Sequence, residues 1–179
     1  SDVDKVQVNL LSDEYFEDGD VIQNSKLFRK IFNKDTCRRV LEDLMEKGLR
    51  VEQGEVLGKS IIFAVNHYHA QMIVETFNEM YPMYPDYCKL IDNQIKNSDN
   101  LIGEFEDDSS FRIAVSVDML DTGIDVPSVL NLVFFKRVRS DIKLIQMIGR
   151  CTRLCPNLLD GQNKKYFLIF DYFNNLKDD

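Results

Sequence analysis

From residue 58 onward, short uninterrupted apolar runs alternate with stretches whose apolar positions recur every three or four residues. Residues 60–65 (Ser-Ile-Ile-Phe-Ala-Val), 112–117, 129–135 and 166–170 are runs of this kind, and residues 87–91 are a weaker one. Runs that do not alternate with polar residues predict strands covered on both faces, as in a parallel sheet. After the first run, Asn66 is placed to cap a helix whose buried face carries Ala70, Ile73, Val74, Phe77 and Tyr81. Before it, Val40, Leu41, Leu44 and Met45 mark a helix from about Lys34 to Lys47, with Gly48 as its stop. A third helix follows Ser140, an N-cap candidate, with Asp141 near its positive end. Residues 92–100 are polar and read as a loop or short helix, and no repeat interrupts the rhythm. Alternation of strand and helix predicts an α/β fold with a mainly parallel sheet flanked by helices. Residues 1–55 read as an N-terminal connector carrying one helix, and residues 56–179 as the main domain.

Composition sets bounds around this picture. The 179 residues are 44% hydrophobic and 29% charged, values of a globular chain with a real core. No apolar run is long enough for a transmembrane helix and no signal peptide is visible, so a cytoplasmic setting without membrane contact is expected. The start at Ser1 suggests a fragment or a processed chain. A net charge of -8 argues against a simple basic nucleic-acid-binding module and predicts weak, salt-sensitive DNA binding by the chain alone. The acids cluster at residues 13–20, 104–108 and 178–179, where they read as solvated loops. Lys136, Arg137, Arg139, Lys143, Arg150 and Arg153 concentrate positive charge in one stretch, with Asp141 its single acid. Cys37, Cys88, Cys151 and Cys155 fit neither a disulfide framework nor a zinc spacing and read as reduced thiols. His67 and His69 lack a third ligand and read as polar residues at a helix entry, so no metal site is expected.

Two stretches carry candidate chemistry. Gln146, Gly149, Arg150 and Arg153 spell Q-x-x-G-R-x-x-R on the helix after Ser140. At about 100° per residue, Lys143, Gln146, Arg150 and Arg153 share a stripe roughly 80° wide. Ile142, Leu144, Ile145, Met147, Ile148 and Cys151 occupy most of the remaining circumference, which predicts a helix packed nearly all round. Guanidinium groups on such a helix call for an anion, although a solvated basic face has the same spacing. Gly149 removes a side chain beside Arg150 and would admit a neighbouring backbone or a ligand. The second stretch, residues 115–127, places Thr122, Gly123, Ile124 and Asp125 after a strand, where parallel sheets bind ligands. Gly123 permits a tight turn, and Asp125 could orient a basic residue or meet a ribose; a simple capped turn has the same residues.

Together these stretches resemble motifs V and VI of superfamily 2 helicases, and residues 59–70 resemble motif IV. The resemblance covers about residues 40–173. It extends to the motor (R) subunit of type I restriction enzymes and, around motifs V and VI, to the nucleotide-excision-repair helicase. It implies a RecA-like three-layer domain, the C-terminal second lobe of a two-lobe motor. By that resemblance Arg150 and Arg153 face the γ-phosphate of ATP, with Arg153 as the arginine finger. Gln146 helps organise the nucleotide cleft, while Gly123 and Asp125 link ATP to nucleic acid. Asn66, Ser116 and Thr122 lie where family members touch the phosphate backbone. Cys151 stands at a place where the restriction subunits often have glycine, and Val117 where many RNA helicases have threonine.

The chain has no G-x-x-x-x-G-K-S/T loop and no acidic metal-holding box; Gly58-Lys59-Ser60 lacks the upstream glycine and runs into a strand. ATP and Mg2+ are therefore expected on a first lobe outside this chain, with no cofactor on the chain alone and no activity of its own. The implied partners are that first lobe of the same polypeptide, double-stranded DNA, and the modification and specificity subunits of a restriction complex. Other readings of the same residues are a lobe of a DNA-repair or remodelling helicase, or a non-catalytic docking module.

Overall fold

A computed structural model describes residues 29–30, 32–92, 98–117, 126–138, 140–151 and 166–176. Helix α1 (Lys34–Lys47) leads into a small antiparallel ribbon, β1 (Arg50–Val51) with β2 (Val56–Leu57), joined by a single 3-10 turn. There follow β3 (Ser60–Phe63), α2 (His67–Met80), β4 (Cys88–Ile91), α3 (Ser98–Asp107), β5 (Ile113–Ser116), β6 (Asn131–Phe134), α4 (Asp141–Gly149) and β7 (Leu168–Asp171). Five strands form one sheet in the order β4-β5-β3-β6-β7, and every pair is parallel.

Burial explains the apolar runs. On β3, Ile61 and Phe63 face one side of the sheet and Ile62 the other; on β6, Leu132 and Phe134 oppose Val133. One face is covered by α1 and α2 through Leu41, Leu44, Ala70, Ile73 and Phe77. The other is covered by α3 and α4 through Phe105, Leu144 and Met147. Both sides of the central strands β3, β5 and β6 are dry, so no polar alternation survives in their sequence, whereas the edge strands β4 and β7 are partly exposed. The three-layer, mainly parallel architecture expected from the sequence is present.

Helix α1 keeps its expected bounds because its caps are strong. Asn33 Oδ1 accepts from the Thr36 N–H at 3.0 Å and Thr36 Oγ1 accepts from the Asn33 N–H at 3.1 Å, a reciprocal box. Gly48 ends the helix for a reason the sequence does not disclose. Its φ of -60° is open to any residue, but a Cβ there would lie 2.5 Å from the Leu44 carbonyl oxygen. Asn131 of β6 then holds the next residue: Oδ1 accepts from the Leu49 N–H at 2.8 Å and Nδ2 donates to the Leu49 carbonyl at 3.1 Å. Helix α1 is thereby part of the same core as the sheet.

Two sequence expectations need correction. Residues 104–107 of the acidic run form the end of α3 rather than a loop, because Phe105 is anchored in the core while the acids around it face outward. Val74 and Tyr81 are only partly buried, at the edge of the α2 face.

Lys59 is a buried cation, 5% exposed. Its ammonium donates to the carbonyls of Phe105, Asp108 (2.7 Å) and Phe111 (2.7 Å), closing the carboxyl end of α3. Burial, then the nearby Arg112 guanidinium, lowers its pKa to about 8. Lys59→Met removes that desolvation but leaves three carbonyls short of a donor, and the second effect is larger. The variant is expected to lose about 1–3 kcal/mol of unfolding free energy, read from the urea midpoint; an unchanged midpoint would refute the capping role.

Candidate functional site at the carboxyl edge of the sheet

The chain leaves β3 toward the α1–α2 face and leaves β4 and β6 toward the α3–α4 face. A crevice forms where neighbouring parallel strands send their connections to opposite sides. Here it lies at the carboxyl ends of β5, β3 and β6; Asn66 and Ser116 are at this edge, whereas Gln146 and Arg150 lie toward the far end of the helix that starts from it.

Asn66 follows β3 and is buried. Its Oδ1 accepts from the His69 N–H at 2.8 Å, which makes it the N-cap of α2. Ser116 is the last residue of β5, paired with Phe63 on one side and Ile91 on the other; it is fully buried, and its Oγ makes no hydrogen bond among the described residues. Asn66 and Ser116 therefore shape the edge from within rather than presenting side chains to solvent. Thr122, Gly123, Asp125 and Arg153 lie outside the described residues.

The two histidines are helix-entry residues with distinct jobs. His67 Nδ1 sits 2.8 Å from Asp92 Oδ2, joining the ends of β3 and β4. His69 is fully buried between Phe32 and Phe135, edge-on at 4.7 and 4.5 Å between ring centroids. Its Nδ1 accepts from the Val65 N–H at 3.1 Å, so the ring is neutral, and burial depresses its pKa to about 3. Among the described residues no group of three or more His, Cys, Asp or Glu is placed to hold a metal ion, and no described helix is long and apolar enough to cross a membrane.

Helix α4 starts where Ser140 Oγ accepts from the Lys143 N–H at 3.2 Å, with Asp141 in the first turn. Leu144 and Met147 anchor it to the sheet, and Cys151 follows on the same side. The expectation of a helix packed nearly all round fails: Ile142 is 71% and Ile145 68% exposed. Periodicity marks these residues as apolar but cannot say which body covers them. Ile142, Ile145, Gln146 and Gly149 follow the i, i+3, i+4, i+7 spacing of one face, and all four are exposed. A Cβ on Gly149 would meet nothing within 4 Å. Arg150 is half-buried and is the C-cap of α4 rather than an interior residue, its N–H donating to the Gln146 carbonyl at 3.3 Å. Gln146 thus borders an open apolar strip formed by Ile142 and Ile145, while Arg153, the last member of the expected stripe, lies outside the described residues.

Two members of the basic stretch, Lys136 and Arg137, have structural partners that composition does not reveal. Lys136 Nζ donates to the Val117 carbonyl at 3.1 Å, and Arg137 Nη1 to the carbonyls of Phe173 (3.1 Å) and Asn174 (2.8 Å). The Lys136–Val117 contact has no local sequence signal, since it spans two strands that are not neighbours.

This parallel sheet, with the arginine-bearing helix at its carboxyl edge, defines a RecA-like lobe. Residues 38–155 match the helicase conserved C-terminal domain, and the chain belongs to that family. It is 34% identical over 171 residues to the Type I restriction enzyme EcoKI endonuclease subunit of Escherichia coli strain K12, a match covering 90% of this chain and 13% of that protein. A fragment structure assigned to an HsdR subunit of a type I restriction enzyme from Vibrio vulnificus YJ016 superposes with a TM-score of 0.63 at 24% identity, covering 85% of this chain and 30% of that one. The C-terminal domain of S. cerevisiae Dbp5 shares the fold at a TM-score of 0.54 and 18% identity, over 79% of this chain and 72% of that one. The chain is a helicase C-terminal lobe similar to the type I R subunit, and it spans 13% of the curated relative's length.

Proposed function

We propose that this chain is the second motor lobe of an ATP-dependent, type I restriction DNA translocase, and that it meets ATP held by a first lobe of the same polypeptide. The observation that carries the reading is the outward face of α4, where Gln146 and Gly149 adjoin exposed Ile142 and Ile145 beside the half-buried Arg150. A face both apolar and cationic-edged fits a partner surface that carries an anion. When bound, Mg2+-ATP supplies the phosphoryl group whose transfer drives the motor. Arg150 and Arg153 would neutralise charge building on the γ-phosphate, and Gln146 would orient the cleft from this side. Gly123 and Asp125 would relay the nucleotide state toward the DNA. The edge built on Asn66, Ser116 and Thr122 would position the DNA backbone without reading sequence. Closure of the two lobes on ATP, and opening after hydrolysis, would advance the motor along duplex DNA.

Residues 1–55 would serve as a connector whose helix α1 packs onto the lobe of residues 56–179. Modification and specificity subunits would be the partners of the full protein, in the cytoplasm. The full-length protein is expected to displace a triplex-forming strand from duplex DNA in an ATP-dependent manner without separating the duplex. Strand separation without triplex displacement would instead support a repair-type helicase.

Gly149 gives a sharper prediction. Within this chain Gly149→Ala meets open space, so its thermal midpoint should stay level or rise, since alanine favours a helix by up to about 1 kcal/mol. In the full-length protein the same methyl group should lower ATPase activity by obstructing the approaching partner. Full activity of the Gly149→Ala enzyme would contradict a close approach at α4.

A further inference from the structure

The strand order β5-β3-β6 separates the two stretches that carry the motifs. The chain leaves β5 through Val117 and leaves β6 through Phe135 toward α4, with β3 between the two exits. Two strand spacings put these exits roughly 9–10 Å apart. The backbone ladder ties each exit to β3 for one more step. The Ala64 N–H donates to the Ser116 carbonyl at 2.8 Å, and the Phe135 N–H to the Phe63 carbonyl at 3.1 Å. Beyond that point β3 turns away into Asn66 and α2, while Val117 bends out of β5. The ladder on this side therefore stops at Ser116 and leaves the Val117 carbonyl outside it.

We propose that Lys136 is the positioning residue that couples these two exits, its ammonium holding the Val117 carbonyl so that the stretch after β5 and the helix after β6 move together. The inference rests on the translocase reading above. Lys136 immediately follows Phe135, and its side chain reaches across the end of β3 to a carbonyl 19 positions earlier in the chain, at 3.1 Å. A cationic donor on a carbonyl at this half-buried position makes a stronger bond than a neutral one.

The backbone of Lys136 is itself fixed on the other side. Asn175 Nδ2 donates to the Lys136 carbonyl at 2.9 Å, and Asn175 Oδ1 accepts from the Val138 N–H at 2.7 Å. Asp171 Oδ1 accepts from Asn175 Nδ2 at 3.0 Å, and Arg137 holds the carbonyls of Phe173 and Asn174. The segment leading into α4 is thus bolted to the end of β7, while Lys136 extends the brace to β5. A rigid brace of this form transmits a shift at one exit to the other. Val126 and Val129, later in the same β5–β6 connection, pack with Leu144 and Met147 of α4, and Lys136 adds a polar tie at the start of that connection.

The test uses the full-length protein with duplex DNA and compares Lys136→Met, Lys136→Arg and Arg150→Ala. Lys136→Met keeps the side chain's length and apolar character but cannot donate. It is expected to lower the ratio of DNA-stimulated to DNA-free ATP hydrolysis at least about tenfold, with KM for ATP within about twofold of wild type. Lys136→Arg, which retains a donor, should restore most of that stimulation. An unchanged ratio in Lys136→Met overturns the proposal. So does an equal loss of both rates with a lowered thermal midpoint and no rescue by arginine, the pattern of a purely structural residue. If Arg150→Ala abolishes hydrolysis while Lys136→Met leaves the ratio unchanged, only the coupling role fails. If Arg150→Ala leaves hydrolysis intact, the nucleotide-facing reading of α4 fails as well.

Discussion

Arg150→Ala or Arg153→Ala in the full-length protein is expected to lower kcat for ATP hydrolysis about 10³-fold or more, the range found for arginine fingers. Nucleotide affinity should fall much less if, as proposed, most of the phosphate contacts belong to the first lobe. A residue that acts mainly as charge accumulates in the transition state lowers kcat rather than raising KM. The fold should tolerate the Arg150 change. Arg150 is half-buried at the C-cap of α4, and Leu144 and Met147 anchor the helix to the sheet. Steady-state ATPase assays with saturating DNA, alongside thermal melts, separate loss of catalysis from loss of structure. Near-wild-type kcat in both variants would remove the finger assignment.

Acid is expected to destabilise the chain through His69. In the folded state the ring is enclosed by aromatic side chains and its pKa falls from 6.5 to about 3. Between those values the unfolded chain binds a proton that the folded chain refuses. Stability therefore rises with pH across this window and is lost as pH falls from about 6.5, by about 3 kcal/mol at pH 4. That is a large share of the about 5–15 kcal/mol that separates folded from unfolded domains. His69→Gln keeps an acceptor for the Val65 N–H and cannot titrate. Urea midpoints between pH 7 and pH 4 should fall steeply for wild type and more gently for His69→Gln. Parallel slopes would show that other groups control the acid response.

Much of the fold was legible because each level of the sequence agreed with the others. The bounds of α1 followed from its apolar spacing and from polar residues at its ends, and the strand cores followed from uninterrupted apolar runs. The β1–β2 ribbon was not legible, since two residues per strand carry no periodicity. Helix α3 was hidden because the acids interleaved with Leu101, Ile102 and Phe105 mask a face that only packing against the sheet makes apolar.

The candidate site divided along similar lines. Q-x-x-G-R-x-x-R is contiguous, so its helix could be read directly from Ser140 onward. The outward position of Ile142 and Ile145 could not, because apolarity does not identify the covering surface. Asn66 carries the capping role that its position before α2 suggested. Lys136 was visible only as one charge among several, for its partner Val117 becomes a neighbour only through the strand order.

The central claim is that this lobe meets the terminal phosphate of a nucleotide held elsewhere. Its most direct test is photolabelling with an ATP analogue that carries a photoreactive group on the γ-phosphate, followed by peptide mapping. In the full-length protein the label should fall within residues 141–153 as well as on the first lobe, and the isolated chain should remain unlabelled. Labelling of the full-length protein that leaves residues 141–153 untouched, or equal labelling of the isolated chain, would contradict the account.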